Sequence, residues 1–433
     1  MRYLLFFLIS FLLVSCSDNI TGNKPQDPND FYWSKNESPI IIEGKFNVPL
    51  NETLVIEAGT IVSFQSTDDP NGNYTDEVGW IESFGNIRAI GAENDSIKFI
   101  SQTEGAWGGI IFRNSTINNF VNCHFENAAY VWNSNELLRA AIHCVESYVN
   151  ISSSTFHNCR MQSIYADSAS VVSVNNSIFY KNTSYENPSV YIYAQCESSA
   201  SIVYCNFSGF PGGVRLSNNN YSIVSHSDFN TICECIYSYE SNEELIVENN
   251  HFLNGGTAVY ISKNQSAVKI LNNIFDGCEK GINLWLNYEN YIQGNLFMNC
   301  DVGTYSEASH DEINIYNSTF VNNETCIAGD NFFVYNSIIS GNTDYFQQVM
   351  GMGSLTITQS LIPFYINCVN VTYCIVGESP QFVDVINDFH LSSSSPCIDY
   401  GYNYTNIIIN YDLDSNTRIT GESIDLGSYE YTD

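Results

Sequence analysis

Basic residues are scarce in this chain. Its 433 residues hold 15 Lys and Arg against 47 Asp and Glu, a formal net charge of −32. Affinity for nucleic acid comes from Lys and Arg set on phosphates, so that class of partner is excluded. Polyanionic glycans are disfavoured as well, unless a divalent cation bridges. Only 14% of residues are charged at all, and with much Asn, Ser and Tyr the surface is polar and mildly charged, which suits glycan contact or simple solubility. Beyond residue 14 no run reaches the roughly 18 apolar residues that a membrane-spanning helix needs. Long stretches at helical spacing are missing too, and there are only 10 Pro. What is abundant is Val, Ile, Tyr, Phe and Thr, the composition of strands.

One small pattern recurs. The segment ending at Phe125 returns at Phe156, Phe179, Phe207, Phe229, Phe252, Phe275, Phe297, Phe320, Ile339 and Ile362, in steps of 31, 23, 28, 22, 23, 23, 22, 23, 19 and 23. Self-similarity at this period means a solenoid, in which each repeat buries its apolar face by stacking on its neighbours. A Leu framework is absent, so leucine-rich repeats do not fit. In the coil from Ile270, Ile270–Asp276 reads as one strand and the residues from Gly281 as a second, with Tyr291 opening the next coil. Asn recurs two or three residues after the Phe position (Asn127, Asn158, Asn182, Asn254, Asn299, Asn322, Asn323, Asn342). Asn tolerates the left-handed conformation of a tight turn and bonds its copies above and below, which predicts an Asn ladder along one corner.

A repeat of the form I-x-N-N-x-F-x-N-N-x-x-x-G-I-x-L resembles the right-handed parallel β-helix of the pectate-lyase-like superfamily. The resemblance implies an all-β, single-stranded solenoid of about 14 or 15 coils, and it is nearly silent on activity. Leu54–Phe64, Ile87–Gly91, Ile97–Ser101 and Trp107–Phe112 are similar to the opening coils of bacterial surface β-helix proteins. Ser395–Gly401, Asp412–Arg418 and Ile424–Glu430 resemble the terminal module called choice-of-anchor Q, which implies a cell-surface protein and no particular reaction.

The N-terminus looks like a lipoprotein signal: Arg2, an apolar run from Leu4 to Val14, then the lipobox Leu13-Val-Ser-Cys16. The run is too short to span a bilayer. A diacylglycerol on Cys16 would anchor the chain to a bacterial outer membrane or cell surface, the membrane being its first partner. The expected organisation is signal peptide 1–15, tether 16–39, β-helix 40–390 and terminal module 391–433. Cys278 and Cys300 share one offset in successive coils, and an interior stack of free thiols is favoured over a disulfide.

Candidate sites follow from aligning the coils. Glu279, Asp301 and Glu324 fall at one corner of three consecutive coils, and Asp412, Asp414 and Asn416 space oxygens like half a calcium loop. A solvated turn and a structural cap are their ordinary readings, with Ca²⁺ the only candidate ion and no cofactor required. Arg418 is placed to pair with Asp425 or Glu430. The hydrolase and lyase motifs of the superfamily (Asn-Thr-Asp, Gly-His-Gly, Arg-x-Pro-x-x-Arg) are missing. Arg139, His143, His157, Arg160 and Asp167, all within two coils, form the alternative catalytic centre. Tyr191 and Tyr193, expected on one face, and Tyr288 and Tyr291, could stack sugars. The expectation is a surface β-helix that binds extracellular glycan or neighbouring cells without catalysis. A polysaccharide lyase or glycoside hydrolase is the alternative.

Overall fold

A computed structural model describes residues 30–432, apart from 68–77, 129–130, 133–136, 182–189, 210–211, 286–289, 307–311, 348–353 and 365–368. Three long parallel sheets, here A, B and C, run the length of the chain with 15, 15 and 13 strands. The chain visits them in the order A, B, C and returns to A, so each circuit is one coil and there are 15 coils among the described residues. At about 4.8 Å per strand the stack is roughly 70 Å long. Each coil has three strands where two were expected. In the coil from Val268, strands Val268–Leu271, Ile274–Asp276 and Lys280–Trp285 belong to A, B and C. The reason is local: Asn272 adopts φ 50°, which bends the chain sharply and splits one apolar run between two sheets.

The repeat is also the packing register. Phe252 pairs with Phe275 and Phe275 with Phe297 in sheet B, and each later coil continues the column to Ile339. Ten Phe rings from Phe99 to Phe320 stack face to face inside the coil, with centroids 4.5–5.1 Å apart. Insertions in the steps of 31 and 28 residues leave this register intact, because they fall between a strand of sheet B and the next strand of sheet C.

Buried ladders close the corners. Between A and B, Asn250, Asn273 and Asn295 form a run in which each amide oxygen accepts the backbone N–H one coil earlier, and the rungs continue as Ser318, Ser337 and Ser360. This ladder stands two residues before the Phe, on the other side of it from where the sequence suggested. Of the residues expected to make it, Asn127, Asn158, Asn254, Asn299 and Asn322 supply left-handed turns between B and C. Asn323 and Asn342 do bond each other there, at 2.8 Å. An inward residue at a closed corner can stack, whereas the left-handed residue beside it turns its side chain outward. Asn182 lies outside the described residues. Cys278 and Cys300 are buried and unbridged, and each thiol donates to backbone carbonyls, Cys278 to Phe252 O and Cys300 to Phe275 O.

The ends differ from expectation. The first strand of sheet A begins at Asp30 and pairs with Thr53–Ile56, so part of the segment read as tether belongs to the solenoid. After Val376 the chain forms an antiparallel pair, Phe382–Asp384 with Asp388–Leu391, and then runs back along the A–B corner. Side chains of that corner hold its backbone: Gln359 to Tyr400 O, Asn336 to Tyr402 O, Gln293 to Asn406 O and Asn272 to Tyr411 O, at 2.7–3.1 Å.

Candidate functional site

Sheet C carries a long ordered array of rings that point away from the core. Its strands are in exact register, so His143, Tyr165, Tyr193, Arg215, Tyr237, Tyr260, Asn283 and Tyr305 form a single column on successive coils. Seven steps of about 4.8 Å make it roughly 34 Å long. Alternation turns these side chains away from the core, into which Ile164, Ile192, Val214 and Ile236 point, although Tyr165 and Asn283 are themselves covered, 5% and 4% exposed.

The column is held by ring and cation contacts. Tyr237 and Tyr260 stack at 5.0 Å, and Tyr165 meets Tyr193 edge-on at 5.5 Å. The Arg215 guanidinium lies between Tyr193 and Tyr237, 5.4 and 4.8 Å from their centroids, and is itself exposed. Beside the column, Lys263 is 5.5 Å from both Tyr239 and Trp285, and Lys280 is 4.4 Å from Tyr305. With Arg139 at 5.6 Å from Tyr165, four of the 15 basic residues sit on the rings of this strip. A cation held over a π face needs no carboxylate partner. The result is a locally cationic, aromatic strip on a strongly acidic protein.

The sequence-predicted catalytic set does not converge. Arg139, His143 and Asp167 gather at the end of the sheet C strip, but His157 is on sheet B and Arg160 at the corner between them. His143 packs on Tyr165 at 4.8 Å, and its ring nitrogens are buried without a hydrogen-bond partner among the described residues. Burial, reinforced by Arg113, pushes it down to about 4, so it is neutral near pH 7. The Asp167 carboxylate accepts from Ser168 N at 2.8 Å and so caps its own turn.

The predicted tyrosines also separate. Tyr193 is on the strip. Tyr191 is 3% exposed, wedged against Phe179 and Phe207, and donates to Ser208 O at 2.5 Å. Near the corner the strand turns inward, so two successive positions, 191 and 192, face the core and strict alternation fails. Tyr291 stands on sheet A, half-buried, and Tyr288 and Cys16 lie outside the described residues.

Neither calcium candidate gathers its oxygens round an ion. Glu279, Asp301 and Glu324 do occupy one corner in consecutive coils, exposed, yet they are not among the groups whose ligand atoms converge. The Asp412 carboxylate is saturated by the chain itself: it accepts from Asp414 N, Asn416 N, Asn416 Nδ2 and Glu430 N at 2.7–3.2 Å. Asp414 is taken by His390 at 2.6 Å. Arg418 pairs with Glu430 at 3.5 Å, as expected, and donates to Asn317 O and Gly427 O of the solenoid and the module.

Among the described residues one group can share an ion, and the sequence reading overlooked two of its members. His124, Glu126 and His157 project from adjacent strands of sheet B, with ligand atoms all within 4.8 Å of one another. A His-x-Glu pair with a His 31 residues further on was legible only through the coil register.

Residues 140–297 match the family described as the right handed beta helix region. The chain is a right-handed parallel β-helix. Its fold is similar to a mannuronic-acid-specific family 6 polysaccharide lyase from human gut microbiota, at 10% identity over 77% of this chain and 86% of that one, TM-score 0.44. It is similar to the family 6 alginate lyase AlyGC, at 13% identity over 76% of this chain and 53% of that one, TM-score 0.46. A third is pectate lyase Pel9A, at 12% identity over 89% of each, TM-score 0.34. The β-helix thus spans about half the length of AlyGC. No curated relative matches the sequence.

Proposed function

We propose that this protein is a lipid-anchored surface β-helix that binds an extracellular polysaccharide along the outer face of sheet C, without cleaving it. The observation that carries the reading is the column from Tyr165 to Tyr305 with Arg215 between its rings. Ring faces suit the apolar faces of sugars, and the interleaved cations offer donors to hydroxyl or carboxylate oxygens. The strip follows the rod, so a chain-like ligand meets the same chemistry coil after coil. Anchoring rests on the lipobox at Cys16, and the absence of the superfamily's catalytic motifs argues against turnover.

The test is a glycan array followed by calorimetry, comparing the wild type with Arg215→Ala and Tyr237→Ala. Binding to one polysaccharide class, weakened at least tenfold in both variants, is expected. Unchanged binding in both would place the ligand elsewhere. Product assays for reducing ends and unsaturated sugars run alongside; turnover lost in His143→Ala would establish the lyase or hydrolase alternative instead. Labelled fatty acid should enter the wild type and not Cys16→Ala.

A further inference from the structure

We infer that His124, Glu126 and His157 form a binding site for a divalent transition-metal ion of the zinc type on the outer face of sheet B. The inference is independent of the glycan strip, which lies on sheet C. Three observations support it. His124 and Glu126 are at positions i and i+2 of strand Cys123–Glu126, hence on one face, and Glu126 pairs directly with His157 of the next coil. The three ligand sets are therefore fixed by sheet register rather than by a loop.

The distances come next. His157 Nδ1 is 3.1 Å from a Glu126 carboxylate oxygen, and His124 Nε2 is 3.8 Å from the other. Tetrahedral Zn²⁺ takes His nitrogen and Glu oxygen at about 2.0–2.2 Å, which sets its ligand atoms roughly 3.3 Å apart. Small side-chain rotations reach that geometry. The His157 ring is steadied by Tyr180, stacked at 4.2 Å.

Third is the chemistry of the donors. Two imidazoles and one carboxylate make a borderline set that favours Zn²⁺ over Ca²⁺, which prefers oxygen alone. The site borders a depression of about 550 Å³ that also holds Lys98. Three protein ligands leave a fourth position open toward it, for water or a small anion drawn by the ammonium.

The full chain, stripped with chelator and with accessible thiols alkylated so that exposed Cys196 does not contribute, is titrated with Zn²⁺ by calorimetry. One equivalent should bind near pH 7, at least tenfold more weakly at about pH 5, where imidazoles protonate. His124→Ala, Glu126→Gln and His157→Ala should each weaken binding tenfold or more, while His251→Ala, on the same sheet beside Asp228, should not. All four side chains point outward, and circular dichroism checks that the coils persist. No binding by the folded wild type, binding that survives the three substitutions, or displacement of Zn²⁺ by equal Ca²⁺ would overturn the assignment.

Discussion

Replacing Asn273 separates the corner ladder from mere hydrophobic stacking as the source of coil-to-coil order. Its amide is fully buried and makes four bonds: Oδ1 accepts from Asn250 N and Asn250 Nδ2, both at 3.0 Å, and Nδ2 donates to Val247 O at 2.9 Å and Asn295 Oδ1 at 3.1 Å. Leu has a similar volume and keeps the apolar packing, but leaves two buried donors of Asn250 without an acceptor. At about 1–3 kcal/mol for each orphan, Asn273→Leu should cost about 2–6 kcal/mol. Ser behaves differently. Ser227, two rungs away, accepts Cys205 N at 3.0 Å and returns its proton to Ser225 O at 2.8 Å. Asn273→Ser should therefore satisfy Asn250 N, leave only the Nδ2 donor without this acceptor, and cost about half as much as Leu. Because a solenoid is stabilised by nearest-neighbour terms, the loss should be local. Urea unfolding gives the total, and native-state hydrogen exchange should show faster exchange at Asn250 and its neighbouring coils than at the ends. A cost for Leu below about 1 kcal/mol, or equal costs for Leu and Ser, would refute the argument.

Two further predictions concern the terminal module. His390 donates to Asp388 at 2.5 Å and Asp414 at 2.6 Å; although burial opposes it, these carboxylates raise its pKa above the ordinary 6.5, and His390 lowers Asp388 below 3.8. The His390 contribution is complete below about pH 6.5 and is lost as pH rises through its raised value, while that of Asp388 is present above about pH 4 and is lost as pH falls through its lowered value. Resistance of the module to proteolysis should thus peak between those limits and fall as pH rises through the raised His390 value, and His390→Gln should flatten that side; an unchanged profile would contradict the pairing. Arg418 is buried among Asp412, Asp425 and Glu430, and burial together with Asp425 raises Glu430 to about 8. Arg418→Ala should cost the module about 3–5 kcal/mol and release it from the A–B corner while the Phe stack persists, which exchange measurements would report; protection equal to wild type would rule this out.

Repetition made the fold legible. Each coil buries one Phe against the next, so the pattern that spaced Phe252, Phe275 and Phe297 in the sequence is the pattern that packs them, and the coil count follows from it. The loop insertions that lengthen two of the steps do not alter the stack, for which only the strand positions matter. Likewise, the buried Cys278 and Cys300 sit at one offset because an offset in a regular coil is a place in space.

Whatever depends on direction at a corner was decided by the tertiary structure. A single left-handed residue such as Asn272 determines whether the next side chain enters the core or leaves it, and neither Asn of an Asn-Asn pair announces which it is. That is why the ladder appeared on the other side of Phe. Outer-face neighbours come from coils 22 to 31 residues apart, so the sheet C rings, Arg215 between two of them, and His157 against Glu126 become neighbours only once loops of unequal length have been absorbed and the strands align. The sequence alone determined that coils stack; the register of those coils decided which side chains meet.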